Sequence, residues 1–385
     1  MPAIKCGENQ VNKSTYTSNK DSAVELARFF GALIVIGVHI WGGQIAADPN
    51  NTEFSRRLIQ CFVADGVAVF WIIAGFFMFR KFNYKKIMKR TLTHVSIPMM
   101  LICALAFFIV DPYLATGSIN ILHHTSQEYL DIFNAIIRGN TFVYSQGHMW
   151  YIFVYIILMA VSPALYGLIK YLEEDPKRVK CFFAITAFMF LLNDFTHNEW
   201  AGFGMHTFSA AVPAAIQMVW GYFLYKNKEF FQKKINILWG ILAFFGLNLL
   251  RCVYLMHRLQ AAGDIQILYW YTGVGTLAVI AGIICCFALV GKRSSRLANV
   301  LGGATFGVYL IHPCIVETLQ AKGYTPGIEA GCLNHFTGIT LELAYFGIML
   351  LSVAGLSFAI VLLYQLCKWA VLKLLSKKKI QKAAE

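Results

Sequence analysis

The sequence predicts an all-α, polytopic integral membrane protein of about ten transmembrane helices with both termini cytoplasmic. Three observations predict it. Of the 385 residues, 58% are hydrophobic and 14% are charged, against about 25% charged in soluble domains. Apolar runs of about 20 residues, the length that crosses a bilayer as a helix, recur along the chain. Lysine and arginine crowd into alternate loops, as the positive-inside rule requires. The same composition excludes a disordered chain and a nucleic-acid-binding domain, although the net charge is +13.

Hydropathy places the spans at about 23–41, 58–79, 92–110, 148–169, 181–195, 206–225, 235–255, 269–290, 299–319 and 341–367. Hydrocarbon offers backbone polar groups no partner, so each run is read as a helix. With the N-terminus inside, 26 of the 33 lysines and arginines fall in inside segments and five in outside loops. Arg28 and Arg251 lie within spans. The positive charge is therefore a topology signal and a match to anionic lipid. Residues 1–22 are a cytoplasmic tail, 23–367 one membrane domain, and 368–385 a basic cytoplasmic tail. The outside loop 111–147 contains a short helical pattern, SQEYLDIFNAIIRG. Most of the ten cysteines sit in apolar runs, and no CxxC pair points to zinc or redox chemistry.

Ionisable groups inside spans are expensive and mark sites. The first span holds Glu25, Arg28 and His39. Arg28 and His39 are eleven residues apart, which is about three turns and about 16 Å along one helix face. Glu25 is placed to pair with Arg28 across one turn. Asp65 is the acid of the second span, and its plain alternative is a packing hydrogen bond to a neighbouring helix. Gly66 and Gly75 suit close helix approach. His148 opens the fourth span beside Trp150 and Tyr151, aromatics typical of a membrane interface. His312 precedes Pro313 in the ninth span. Asn193, Asp194, His206 and Arg251 add outer-side polarity, and His39, His148, His206 and His312 share a similar outer depth. None of these histidines has metal-ligand spacing, so no metal is expected.

ELARFFGALIVIGVH, with Arg28, ten intervening residues and His39, resembles the first-span signature of the acyltransferase 3 family of membrane acyltransferases. GVAVFWIIAGFFMFRKF resembles its second span, with Ala74-Gly75-Phe76 where the family usually has Ser-Gly-Phe. GHMWYIFVYIILMAVSPAL resembles its His-x-Trp-aromatic span, and FGVYLIHP its Tyr-Leu-x-His-Pro element. The four blocks occur in family order and cover about 23–366. A second departure follows span two, where His94 stands at the usual position of an arginine.

The resemblance implies a membrane O-acyltransferase at the cell membrane, a bacterial plasma membrane by family habit, moving an acyl group, usually acetyl, from cytoplasmic acyl-CoA. The implied acceptor is a hydroxyl of an envelope glycan or lipid-linked sugar. No fused extracytoplasmic domain is expected, so the enzyme acts alone or with a separate partner. Lys85, Lys86, Lys89 and Arg90 supply positive charge for the donor phosphates, with Arg28 just inside and Glu25 orienting it. His39 is the expected base and His148 the oxyanion donor. Asp65, His312 and Trp150 are expected on the acceptor side. No bound cofactor is expected, acetyl-CoA being a substrate. The competing class is a proton-coupled transporter, which buried charges and histidines also suit.

Overall fold

The structure, a computed structural model, describes residues 21–40, 52–118, 124–137, 147–195, 207–262 and 273–382. Helices dominate, and no strand occurs among the described residues. The first span is α1 (Ser22–Ile40). The second is broken into α2 (Thr52–Val63) and α3 (Gly66–Met78). The third is one long helix in three α segments, α4 (Tyr84–Thr91), α5 (Ile97–Leu105) and α6 (Asp111–Thr116). Two π-helical turns, Leu92–Ser96 and Ala106–Val110, join them. Pro98 and Pro112 follow these turns. Each proline lacks an N–H and crowds the carbonyl four residues back, His94 or Phe108, so the ladder loosens there.

The helical pattern predicted in the outer loop forms α7 (Ser126–Ile137). Its start is a capping box. The Thr125 N–H and hydroxyl donate to Glu128 at 2.6 and 2.9 Å, and the Glu128 N–H returns to the hydroxyl. The backbone bond leads in holding the Glu128 carboxyl below the usual carboxylate range.

The fourth span is α8 (Trp150–Ala160) and α9 (Ser162–Glu173), bent by 64° between them. Pro163 supplies the cause, since it cannot donate to the preceding turn. The chain continues through α10 (Pro176–Phe195), α11 (Thr207–Lys226), short α12 (Lys228–Phe231), α13 (Ile235–Ala262), α14 (Gly273–Val290) and α15 (Arg296–Ala321). It ends with α16 (Tyr324–Leu333) and the 45-residue α17 (Gly338–Lys382).

Seven described segments are long and apolar enough to cross a membrane, and the bent pair α8–α9 makes an eighth. The predicted fifth and sixth spans correspond to α10 and α11, which complete the bundle but are not among those eight. Lys177, Arg178, Lys180 and Asp194 put charge on α10. The expected tail 1–22 lies almost wholly outside the described residues, as do His206 and the side chain of Asn193.

The core is organised around α1, which packs against α3, α14, α15 and α17. Ser22 ties the N-terminal ends of α1 and α15 together. It receives the Ser295 N–H at 2.9 Å and donates to Asn299 at 2.8 Å. The α3–α11 crossing is closer still. A Cβ on Gly75 would lie 1.8 Å from the Met218 carbonyl oxygen, and one on Gly221 would lie 1.9 Å from that of Ile72. Gly75 therefore serves helix approach, as its position in a span suggested.

Asp65 sits at the break between α2 and α3. It pairs with buried Arg251 of α13 at 2.6 Å. The packing alternative holds here: a charge in the membrane interior needs a partner, and the opposite charge on α13 supplies it. Asp194 similarly accepts the Gly273 and Val274 N–H groups at 2.8 and 2.9 Å, capping the start of α14.

Asp65→Asn should destabilise the fold by about 3–5 kcal/mol, because it strands the buried guanidinium. Asp65→Leu with Arg251→Met should recover much of that loss. Unfolding in detergent checks this, and equal stability of wild type and single variant would contradict it.

Candidate active site

Three of the four histidines predicted at one depth meet, His206 lying outside the described residues. His39 ends α1, His148 lies in the short 3-10 turn before α8, and His312 is in the outer half of α15. Their ring centroids are 4.9 Å apart for His39–His312, 5.3 Å for His148–His312 and 5.8 Å for His39–His148. His148 and His312 are buried, while His39 is half-buried. No group of three His, Cys, Asp or Glu among the described residues has an arrangement that could hold a metal ion.

Pro313 settles the chemistry of His312. In a regular helix the N–H of residue 313 would donate to the Tyr309 carbonyl, four residues back. Proline has no N–H, so that carbonyl lacks its usual donor. His312 Nδ1 lies 2.9 Å from the Tyr309 oxygen and 3.1 Å from the Val308 oxygen. Carbonyls only accept, so Nδ1 carries the proton in this arrangement and Nε2 carries the lone pair. Nε2 is buried with no hydrogen-bond partner among the described residues. The His-Pro dipeptide thus presents a basic nitrogen in a chosen tautomer.

Tyr309, one turn before His312, donates its hydroxyl to the His148 carbonyl at 2.5 Å. Its ring also lies 5.0 Å from the His148 imidazole. It therefore fixes the start of α8 against α15 and holds two of the three histidines in register. Reading the sequence missed Tyr309 as a site residue. Its one-turn spacing from His312 was the available signal.

A cavity of about 580 Å³ lies beside this cluster, toward the Arg28 end of α1. Lys81, Asn83, Lys86, Arg90 and His94 line its outer part, and Phe70, Tyr151 and Tyr309 line it nearer the histidines. Arg28 lines it between these groups. Glu25 holds the Arg28 guanidinium at 3.2 Å, and the Phe77 ring lies 5.2 Å from it. Gly302 lets α15 close on α1 at this level, since a Cβ there would lie 2.4 Å from the Glu25 carbonyl oxygen.

Of the expected residues, the structure brings His39, His148 and His312 together, and lines the cavity with Arg28, Lys86 and Arg90. Glu25 reaches it through Arg28. Lys89 is exposed and does not line it, because α4 turns that side chain away, and Lys81 stands at the wall instead. Trp150 packs against the core cluster of α3, α8 and α11. Asp65 is held off by Arg251. Both departures from the family pattern lie on the cavity wall, where His94 adds an imidazole and Ala74 an apolar patch.

Residues 21–364 match the acyltransferase 3 family model, an acyltransferase domain. The chain belongs to this family. It is a multi-pass membrane acyltransferase, which removes the transporter reading. No curated protein and no solved structure matches it.

Pro313→Ala restores a backbone donor to Tyr309 and weakens the hold on His312 Nδ1. Nitrogen NMR of labelled histidine should show a mixed tautomer in place of Nδ1–H alone, and the acyltransferase rate should fall by roughly tenfold with its pH profile displaced. An unchanged spectrum and rate would detach the proline from the tautomer.

Proposed function

We propose that this acyltransferase moves an acyl group, acetyl by family habit, from cytoplasmic acyl-CoA to a hydroxyl of an extracytoplasmic glycan or lipid-linked sugar. The observation that supports this reading is the cavity itself. It has a cationic cytoplasmic end, a guanidinium part-way along and three imidazoles beyond its inner end. Lys81, Lys86 and Arg90 suit the phosphates of the donor, and Arg28 suits a phosphate or amide further in. The separation of about 16 Å between Arg28 and His39 suits an extended thin arm ending in a thioester.

In this reading the acceptor hydroxyl attacks the thioester carbonyl while His39 takes its proton. The new C–O bond forms, the carbonyl oxygen becomes an oxyanion, and His148 stabilises it. Collapse breaks the C–S bond, and protonated His39 returns the proton to the departing thiolate. His312, whose ring centroid lies 4.9 Å from that of His39, keeps its Nε2 lone pair available beside it. A direct transfer needs only these groups.

His39→Ala should abolish release of free thiol from acetyl-CoA while folded protein is recovered in normal yield. Arg28→Ala should raise KM for acetyl-CoA about tenfold with a smaller change in kcat. A thiol assay on detergent-purified protein, with an envelope glycan extract as acceptor, reads both. Full activity in His39→Ala would remove it from the chemistry, and an unchanged KM in Arg28→Ala would leave Arg28 a structural partner of Glu25.

A further inference from the structure

A second polar site lies at the outer end of the molecule, apart from the histidines. Asp111 opens α6 at the outer end of the long third span. Only 7% of Asp111 is exposed, and neither carboxylate oxygen has a hydrogen-bond partner among the described residues. Buried carboxylates of native proteins are normally satisfied, and one left bare points to donors arriving with a ligand. The groups electrostatically close to it are Glu317 on α15 and His124 before α7. His124 is fixed from two sides. Its Nε2 donates to the Phe107 carbonyl at 2.7 Å, and its ring lies flat on the Phe107 ring, with centroids 3.6 Å apart and an angle of 11°. Its other nitrogen lies 3.7 Å from Glu128. Tyr129 stands edge-on to Phe107 at 5.4 Å and remains 38% exposed. The nearby cation Lys322 sits over the Tyr113 ring at 4.8 Å.

The chemistry of this place is specific. An ionised carboxylate only accepts, so what it binds must donate. Hydroxyl and amine groups are donors of that kind. The adjoining wall is aromatic, with Phe107, His124 and Tyr129 in mutual contact. Carboxylate beside aromatic faces is the pairing that suits a sugar ring, whose hydroxyls donate at its edge and whose C–H groups lie against rings. Glu317 is five residues beyond His312 on α15, which is about 7.5 Å along the axis.

We infer that Asp111, with Glu317 and the Phe107–His124–Tyr129 wall, forms a subsite for a sugar residue of the acceptor, adjacent to the one that is acylated. The inference rests on the acyl-transfer reading for its direction, and its test separates the two. The full-length protein in nanodiscs is applied to an immobilised panel of mono- to tetrasaccharides built from hexoses, N-acetylhexosamines and uronic acids. Acetyl-CoA binding is measured on the same wild-type preparation. The wild type should bind at least one sugar class, and Asp111→Asn, nearly identical in shape, should weaken that binding about tenfold. Tyr129→Ala, at a partly exposed position, should weaken it severalfold and serves if the first variant fails to fold. Absence of binding to every sugar, or binding unaffected by both variants, would overturn the subsite. Acetyl-CoA binding without sugar binding would overturn the subsite and leave the donor reading standing. Asp111-dependent sugar binding without acetyl-CoA binding would do the reverse.

Discussion

A carbonyl in hydrocarbon must find a donor, and the architecture of this protein follows from where that requirement is strained. Ordinary helices meet it residue by residue. The chain departs from them at a few places: the break at Asp65, the bend at Pro163, the π turns before Pro98 and Pro112, and Pro313. At each a backbone bond is lost or stretched, and at several a polar side chain is found nearby. His312 answers for Tyr309, Ser162 donates to the Met159 carbonyl at 2.7 Å, and Asp65 balances Arg251. The site is built from such a repair. The histidine that compensates for a missing N–H is thereby committed to one tautomer, and its remaining nitrogen becomes available for chemistry.

How much of this was legible depended on whether the information was local. Arg28 and His39 share one helix face, so their relation follows from eleven residues of spacing. The depth of His148 and His312 follows from counting inward from the charged loops. Their meeting in three dimensions does not, because hydropathy gives depth without direction around the bundle. Asp65 shows the same limit. Its cost in a membrane was plain, but its partner is 186 residues away on α13. The bend in the fourth span was legible in principle at Pro163, yet the apolar run continues through it and hides the break. Tyr309 stands in the Tyr-Leu-x-His-Pro element one turn before His312, but nothing local marks the partner of its hydroxyl, which lies 161 residues away.

The cationic end of the cavity illustrates how a run of similar residues divides its labour. Lys81, Lys85, Lys86, Lys89 and Arg90 are equivalent to a topology argument. Helical geometry sorts them, because α4 presents Lys86 and Arg90, four residues apart, to the cavity. Asn83 caps that helix by accepting the Lys86 N–H at 2.9 Å and so fixes its rotation. The charge is a property of the segment, and its direction is a property of one cap.

The cavity has walls of unequal stiffness. On one side α3 and α11 touch backbone to backbone at Gly75 and Gly221, with no side chain between them to change rotamer. On another side the helix from Tyr84 to Thr116 is mostly exposed, with Leu92, Met100, Leu101 and Leu105 turned outward. Of these two walls the exposed helix has far fewer protein contacts to give up, so it is the yielding side of the cavity and the glycine crossing is the anvil.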